Sequence, residues 1–141
     1  MSTEQKYIHN VTVTKVPIYD IPVYFVISND PQKCQKFLGD FKFSSFCAGE
    51  FVDNRNMYGL FIILNPYNNA HPLYNGIITH EAVHATLSLF AKIGIELKTL
   101  DSETMAYHTE WFVDRIYAIL KKLNLLDKVV VKNNFFFSFF S

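Results

Sequence analysis

Residues 80–84 read His80-Glu81-Ala82-Val83-His84. If this segment is helical, residues i and i+4 share one face about 6 Å apart, so both imidazoles can converge on one tetrahedral zinc ion at about 2.0–2.1 Å each. Glu81 is turned about 100° from His80 around the axis, which keeps it off the metal but within reach of the metal's water. Two imidazoles and a neighbouring carboxylate supply part of what metal-assisted hydrolysis requires, with Glu81 as general base. Between Gly76 and Ala91 the only ionisable side chains are these three. A helix apolar on nearly every side is a buried helix, and a buried carboxylate needs partners to offset its desolvation. A cation is one such partner. The plainer alternative is that His80 and His84 are ordinary hydrogen-bonded residues and Glu81 is solvated.

A catalytic zinc needs a third protein ligand and one open position. Positions 87 and 90 are Leu87 and Phe90, so the Gly and His of an extended zinc-binding pattern are missing there. Glu103 is the leading candidate, separated from His84 by eighteen residues and in the first turn of the following helix. From His84 the first helix climbs about 14 Å, and an extended Ile95 to Leu100 spans about 20 Å, which can return Glu103 to the level of the metal. His108 and Glu110, one and two turns further on, are the alternatives, while Asp101 is expected to be occupied as a helix cap. Developing negative charge needs a donor, for which Tyr107 is preferred over Tyr67, His71, Tyr74 and His108. Packing is a competing role for Tyr107.

The spacing His80-Glu81-x-x-His84, then Glu103, resembles the gluzincin branch of zinc metallopeptidases, which includes thermolysin-like enzymes, large zinc aminopeptidases and single-domain minimal forms. The resemblance covers roughly residues 58 to 112. It implies zinc as cofactor, a peptide or protein substrate, a substrate-aligning edge strand at Tyr58 to Leu64, and a small residue, Ala106, packed near the site. HEAVHA, Gly94-Ile95 and Asp101 to Tyr107 also look like small phage-encoded proteins of this class. Ser102 stands where the aminopeptidase branch usually has Asn, and Tyr107 where thermolysin-like enzymes place an Asp that orients a histidine ligand. A second function class is a catalytically silent zinc-binding or host-factor-binding module, since 141 residues leave little chain for a second cleft wall.

The elements that must position these residues form an α+β fold: a small mixed or antiparallel sheet of about four strands, then the long motif helix and a second packed helix. Val11 to Thr14 alternates with period two, and Pro22 to Ser28 is a β-branched and aromatic run. Asp30, Pro31 and Gly39 bracket a helix of about two turns. Phe46 to Val52 and Met57 to Leu64 flank Asp53 to Asn56, a connection of hairpin length. Asn75 to Gly94 reads as one helix of about five turns, and Leu100, Asp101 and Met105 fit a stapled, Asp-capped helix running to about Leu123. Trp111, Phe112, Ile116, Ile119 and Leu123 recur at helical spacing as core. A further strand is expected at Val129 to Val131.

The chain is one domain, residues 1–134, with a Phe-rich segment at 135–141 that holds five of the fourteen phenylalanines. That segment is too short to span a bilayer and is a candidate for self-association or for folding back on the sheet. Thirteen basic against thirteen acidic residues leave no field that would neutralise phosphates, so no nucleic-acid partner is expected. The polar N-terminus and the lack of a long apolar run point to a soluble, cytoplasmic protein with no membrane role, in a host cytoplasm if phage-encoded. Cys34 and Cys47 lack C-x-x-C spacing and suit reduced, partly buried thiols.

Overall fold

The computed structural model describes residues 6–39, 49–52, 59–68, 70–99 and 101–131. Four strands, β1 (His9–Lys15), β2 (Pro22–Ser28), β3 (Gly49–Val52) and β4 (Leu60–Leu64), form one sheet in the order β1-β2-β4-β3. Three helices, α1 (Pro31–Leu38), α2 (Asn75–Lys92) and α3 (Ser102–Lys122), accompany it. β1 and β2 are antiparallel, β2 and β4 parallel, and β4 and β3 antiparallel. A parallel pair cannot be joined by a tight turn, and α1 supplies part of the crossover between β2 and β4. The class is α+β, as the sequence pattern indicates, and of the two sheet arrangements the sequence leaves open the mixed one forms.

Alternation along the central strands divides the core. Val23, Phe25 and Ile27 of β2 and Leu60, Ile62 and Leu64 of β4 point toward α2 and α3. Val26, Phe61 and Ile63 point the other way, onto Cys34 and Leu38 of α1. The molecule therefore has three layers, with α2 and α3 on one face and α1 on the other. Burial pushes the Cys34 thiol above its ordinary pKa, which suits an inert packing residue.

Helix boundaries follow local chemistry. Lys33 donates its backbone N–H to Asp30 Oδ1 (3.0 Å), and Thr104 donates to Asp101 Oδ1 (2.7 Å), so both expected Asp caps form. Tyr74 rather than Asn75 is the residue preceding α2, and it makes no side-chain cap. The main chain substitutes for one: Asn75 N–H donates to the carbonyl of Val130 (3.1 Å), and Val130 N–H to that of Leu73 (2.9 Å).

Three expectations are corrected here. Leu60–Leu64 is not an edge strand, because it lies between β2 and β3 with all five residues buried. The unbroken apolar run LFIIL is what burial on both faces demands, and the edge position beside α2 belongs to β3. The strand at Val129 to Val131 reduces to one parallel bridge, Tyr74 to Val130. The connection Ile95 to Leu100 is not extended, since Leu97–Thr99 form a 3₁₀ turn that shortens its reach. Cys47, the Asp53 to Asn56 turn, Leu100 and the segment 135–141 lie outside the described residues. No described helix is long and apolar enough to cross a membrane.

Candidate metal centre

α2 lies against β4 and β3, with Ile78, Ala82, Ala85 and Leu89 sunk into the core. These residues fix the rotation of the helix. His80 and His84 then fall on the flank beside the β3 edge, where both are exposed. Their Nε2 atoms lie 3.1 Å apart. Two nitrogens at 2.0–2.1 Å from one tetrahedral ion are separated by about 3.3 Å, so the pair fits two ligands of a zinc ion with little adjustment. Glu81 is turned inward, its side chain only 7% exposed against 66% for His80, and its Oε1 lies 3.9 Å from His80 Nε2.

Strand β3 completes this flank. Phe51 stacks nearly parallel on the His84 ring, with centroids 6.3 Å apart and planes inclined by 6°. Gly49 passes so close to α2 that a Cβ there would lie 2.6 Å from Ile77 Cγ2, 2.9 Å from Leu64 Cδ2 and 3.3 Å from Glu81 Cγ. Glycine is what allows the edge strand to run against the motif helix. The sequence reading missed both residues. The one available signal was Gly49 two places before an aromatic residue in a β-like run, and only the strand order gives it meaning.

Glu103 is exposed in the first turn of α3 and is not gathered with the histidine pair. Among the described residues no three His, Cys, Asp or Glu side chains form a group that could hold a metal ion. Geometry explains this. The two helices are antiparallel, and Thr109 donates its hydroxyl to Thr86 Oγ1 (3.1 Å) while His108 packs edge-on against Phe90 (4.8 Å). Measured from the threonine contact, Glu103 and His84 lie on opposite sides of it, about 12 Å apart along the axes. Thr86 and Phe90, which face α3, are also rotated about 120° around α2 from the histidine pair.

The other candidates stay on the α3 side. His108 is half-buried between Tyr19 and Phe90, with Nδ1 donating to the Thr104 carbonyl (2.7 Å). Tyr107 is 66% exposed and lines a hollow with the loop after β1. β1 and β3 are opposite edges of the sheet, roughly three strand spacings or about 14 Å apart, so Tyr107 and the histidine pair occupy separate sides of the molecule. Ala106 and Glu110 are exposed on α3, and His71 is exposed in the loop before α2. Phe112, Ile116 and Ile119 are buried, with Trp111 and Leu123 packed around them, as their spacing indicates. No protein-family model matches the chain, and neither a curated protein nor a solved structure matches it.

Proposed function

We propose that the protein is a zinc-dependent metallopeptidase of gluzincin-like type, with His80 and His84 as metal ligands and Glu81 as general base. The observation that carries this reading is the approach of the two Nε2 atoms to 3.1 Å beside an inward-turned carboxylate. Zinc, when bound, supplies Lewis-acid polarisation of a scissile carbonyl and acidifies water. Glu81 takes the proton of the attacking water and delivers it to the leaving amine. Phe51 lies parallel to the His84 ring, and Glu81 is buried.

Glu103 enters this scheme as third ligand only if the Ile95 to Asp101 connection rearranges to bring the first turn of α3 across to the β3 flank. Tyr107 would need the same movement to serve as a transition-state donor. The test is Glu81→Gln, assayed for peptide cleavage together with zinc content. Lost cleavage with zinc retained supports the proposal, and unchanged cleavage contradicts it.

A second reading, a catalytically silent zinc-binding or protein-binding module, draws on the pairing of two ligands where a catalytic centre uses three. Stoichiometric capture of a partner that survives Glu81→Gln, with no cleavage product, would favour it.

A further inference from the structure

Helix α2 turns three sides to the rest of the molecule and one to solvent. Ile78, Ala82, Ala85 and Leu89 enter the core, Thr86 and Phe90 face α3, and Ile77 and Glu81 border β3. At about 100° per residue the remaining side carries Gly76, His80, Val83, His84, Leu87 and Ala91. Val83 and Leu87 are half-buried and the other four exposed. The solvent side of a surface helix ordinarily carries charge. Here there is no lysine, arginine or aspartate between Gly76 and Ala91, and the one glutamate, Glu81, is buried.

Two properties of this face point to a second copy of it as the partner. Identical faces repel when they carry like charges, and this one brings no formal charge to such a meeting. It also holds half of a metal's ligand set. A tetrahedral zinc ion takes four ligands, whereas His80 and His84 supply two, their Nε2 atoms 3.1 Å apart on the solvent side. Among the described residues no third His, Cys, Asp or Glu makes a metal-holding group with them. A two-fold axis beside the pair brings the same two nitrogens from the second copy, because such an axis pairs a surface with itself.

Area decides whether the helix face could hold a dimer without the metal. The 18 residues of α2 span about 27 Å, and a strip about 10 Å wide gives roughly 270 Å² per copy, or about 540 Å² in all. Stable interfaces bury about 1,200–2,000 Å² in total, so the face alone falls short and the ion must supply the remainder.

We infer that one zinc ion joins two copies of this chain, held by His80 and His84 of each copy across a two-fold axis on the solvent side of α2. This arrangement rests on the metal-ligand part of the proposed function and not on its catalytic step. An ion filled by four imidazoles keeps no position for water, so the dimer is the resting state of the site and the separate chain its hydrolytic state.

The experiment is sedimentation velocity of the tag-free, full-length chain, 16.4 kDa as a monomer, titrated with zinc chloride and then with EDTA, with zinc measured in each sedimenting species. We expect a monomer in EDTA, twice that mass with half an equivalent of zinc per chain, and return to the monomer when EDTA is added back. His80→Ala and His84→Ala should each stay monomeric with zinc. Leu87→Lys sets a cation on both meeting faces and should raise the dimer dissociation constant at least about tenfold. Circular dichroism checks that each variant is folded, and the zinc titration of the parent chain decides if one is not. One zinc per monomeric chain would overturn the shared site while leaving His80 and His84 as ligands of the proposed centre. No zinc uptake would overturn both. A dimer that persists in EDTA, or in the histidine variants, would assign association to another surface, such as the Phe-rich segment 135–141, and would overturn the metal-joined pair.

Discussion

The two outer flanks of the α2–α3 pair make opposite uses of polar residues. On the β3 flank, α2 presents two imidazoles and a carboxylate within hydrogen-bonding or ion-pairing distance of one another, set against Gly49 and Phe51 of an edge strand. On the β1 flank, α3 presents Tyr107, His108 and Trp111 over a small hollow completed by Val16, Pro17 and Ile18. One flank pairs two imidazoles beside a carboxylate, and the other is an apolar recess. The contact between Thr86 and Thr109 joins the two helices. A short sequence distance between His84 and Glu103 therefore does not ensure a short spatial distance. What separates them is the rotation and antiparallel crossing of the two helices.

The largest effect that would break this comparison is chemical. Glu81→Gln is expected to lower peptide cleavage by roughly 10²–10⁴-fold, the usual contribution of a general base, while zinc content measured by atomic absorption stays at that of the parent. In the same series Glu103→Gln should leave zinc affinity unchanged if the two flanks stay apart. A large loss of zinc on Glu103→Gln would show that α3 crosses to the β3 flank when metal binds.

Next in size is Gly49→Val. The added side chain would drive β3 off α2, and we expect a loss of about 1–3 kcal/mol in urea denaturation, typical of overpacking, together with weaker zinc binding. Unchanged stability would mean that the strand does not run against Glu81. The β1 flank offers a change of opposite sign. Ile18 is a β-branched residue at φ 77°, almost fully exposed, and Ile18→Asn should raise stability by about 1 kcal/mol because asparagine tolerates the left-handed region better.

How far the sequence reaches can be judged on these same elements. Strand β2, helix α1 and the Asp101 cap of α3 are readable to the residue, because each depends on local chemistry: a β-branched run ended by Asn-Asp, a Pro at the first helical position, an Asp before a helical repeat. The convergence of His80 and His84 is local as well, set by one turn of one helix. Strand order is not local. LFIIL reads equally as a central or a terminal strand until β3 is placed outside it, and so Gly49 and Phe51 gain their roles only from the fold. Likewise the reach of Glu103 hinges on whether Ile95 to Leu100 is extended or turned, a choice that local propensities leave open.

The smallest effect concerns the start of α3. The backbone N–H of Thr104 beside Asp101 holds the Asp101 carboxyl below its usual range. A depressed carboxylate adds stability above its ordinary pKa and loses it as pH falls through the folded value. Asp101→Ala should therefore lower the melting temperature most above about pH 5, with the gap to the parent closing in stronger acid. An equal gap at every pH would place the effect elsewhere than in the capping carboxylate.

The most direct measurement is diffraction at the zinc absorption edge from crystals grown with zinc. We expect one anomalous peak within about 2.0–2.1 Å of both His80 Nε2 and His84 Nε2, beside Glu81 and the β3 edge. A zinc-loaded crystal with no peak at that pair, or with its peak on other side chains, would contradict the assignment of His80 and His84 as metal ligands.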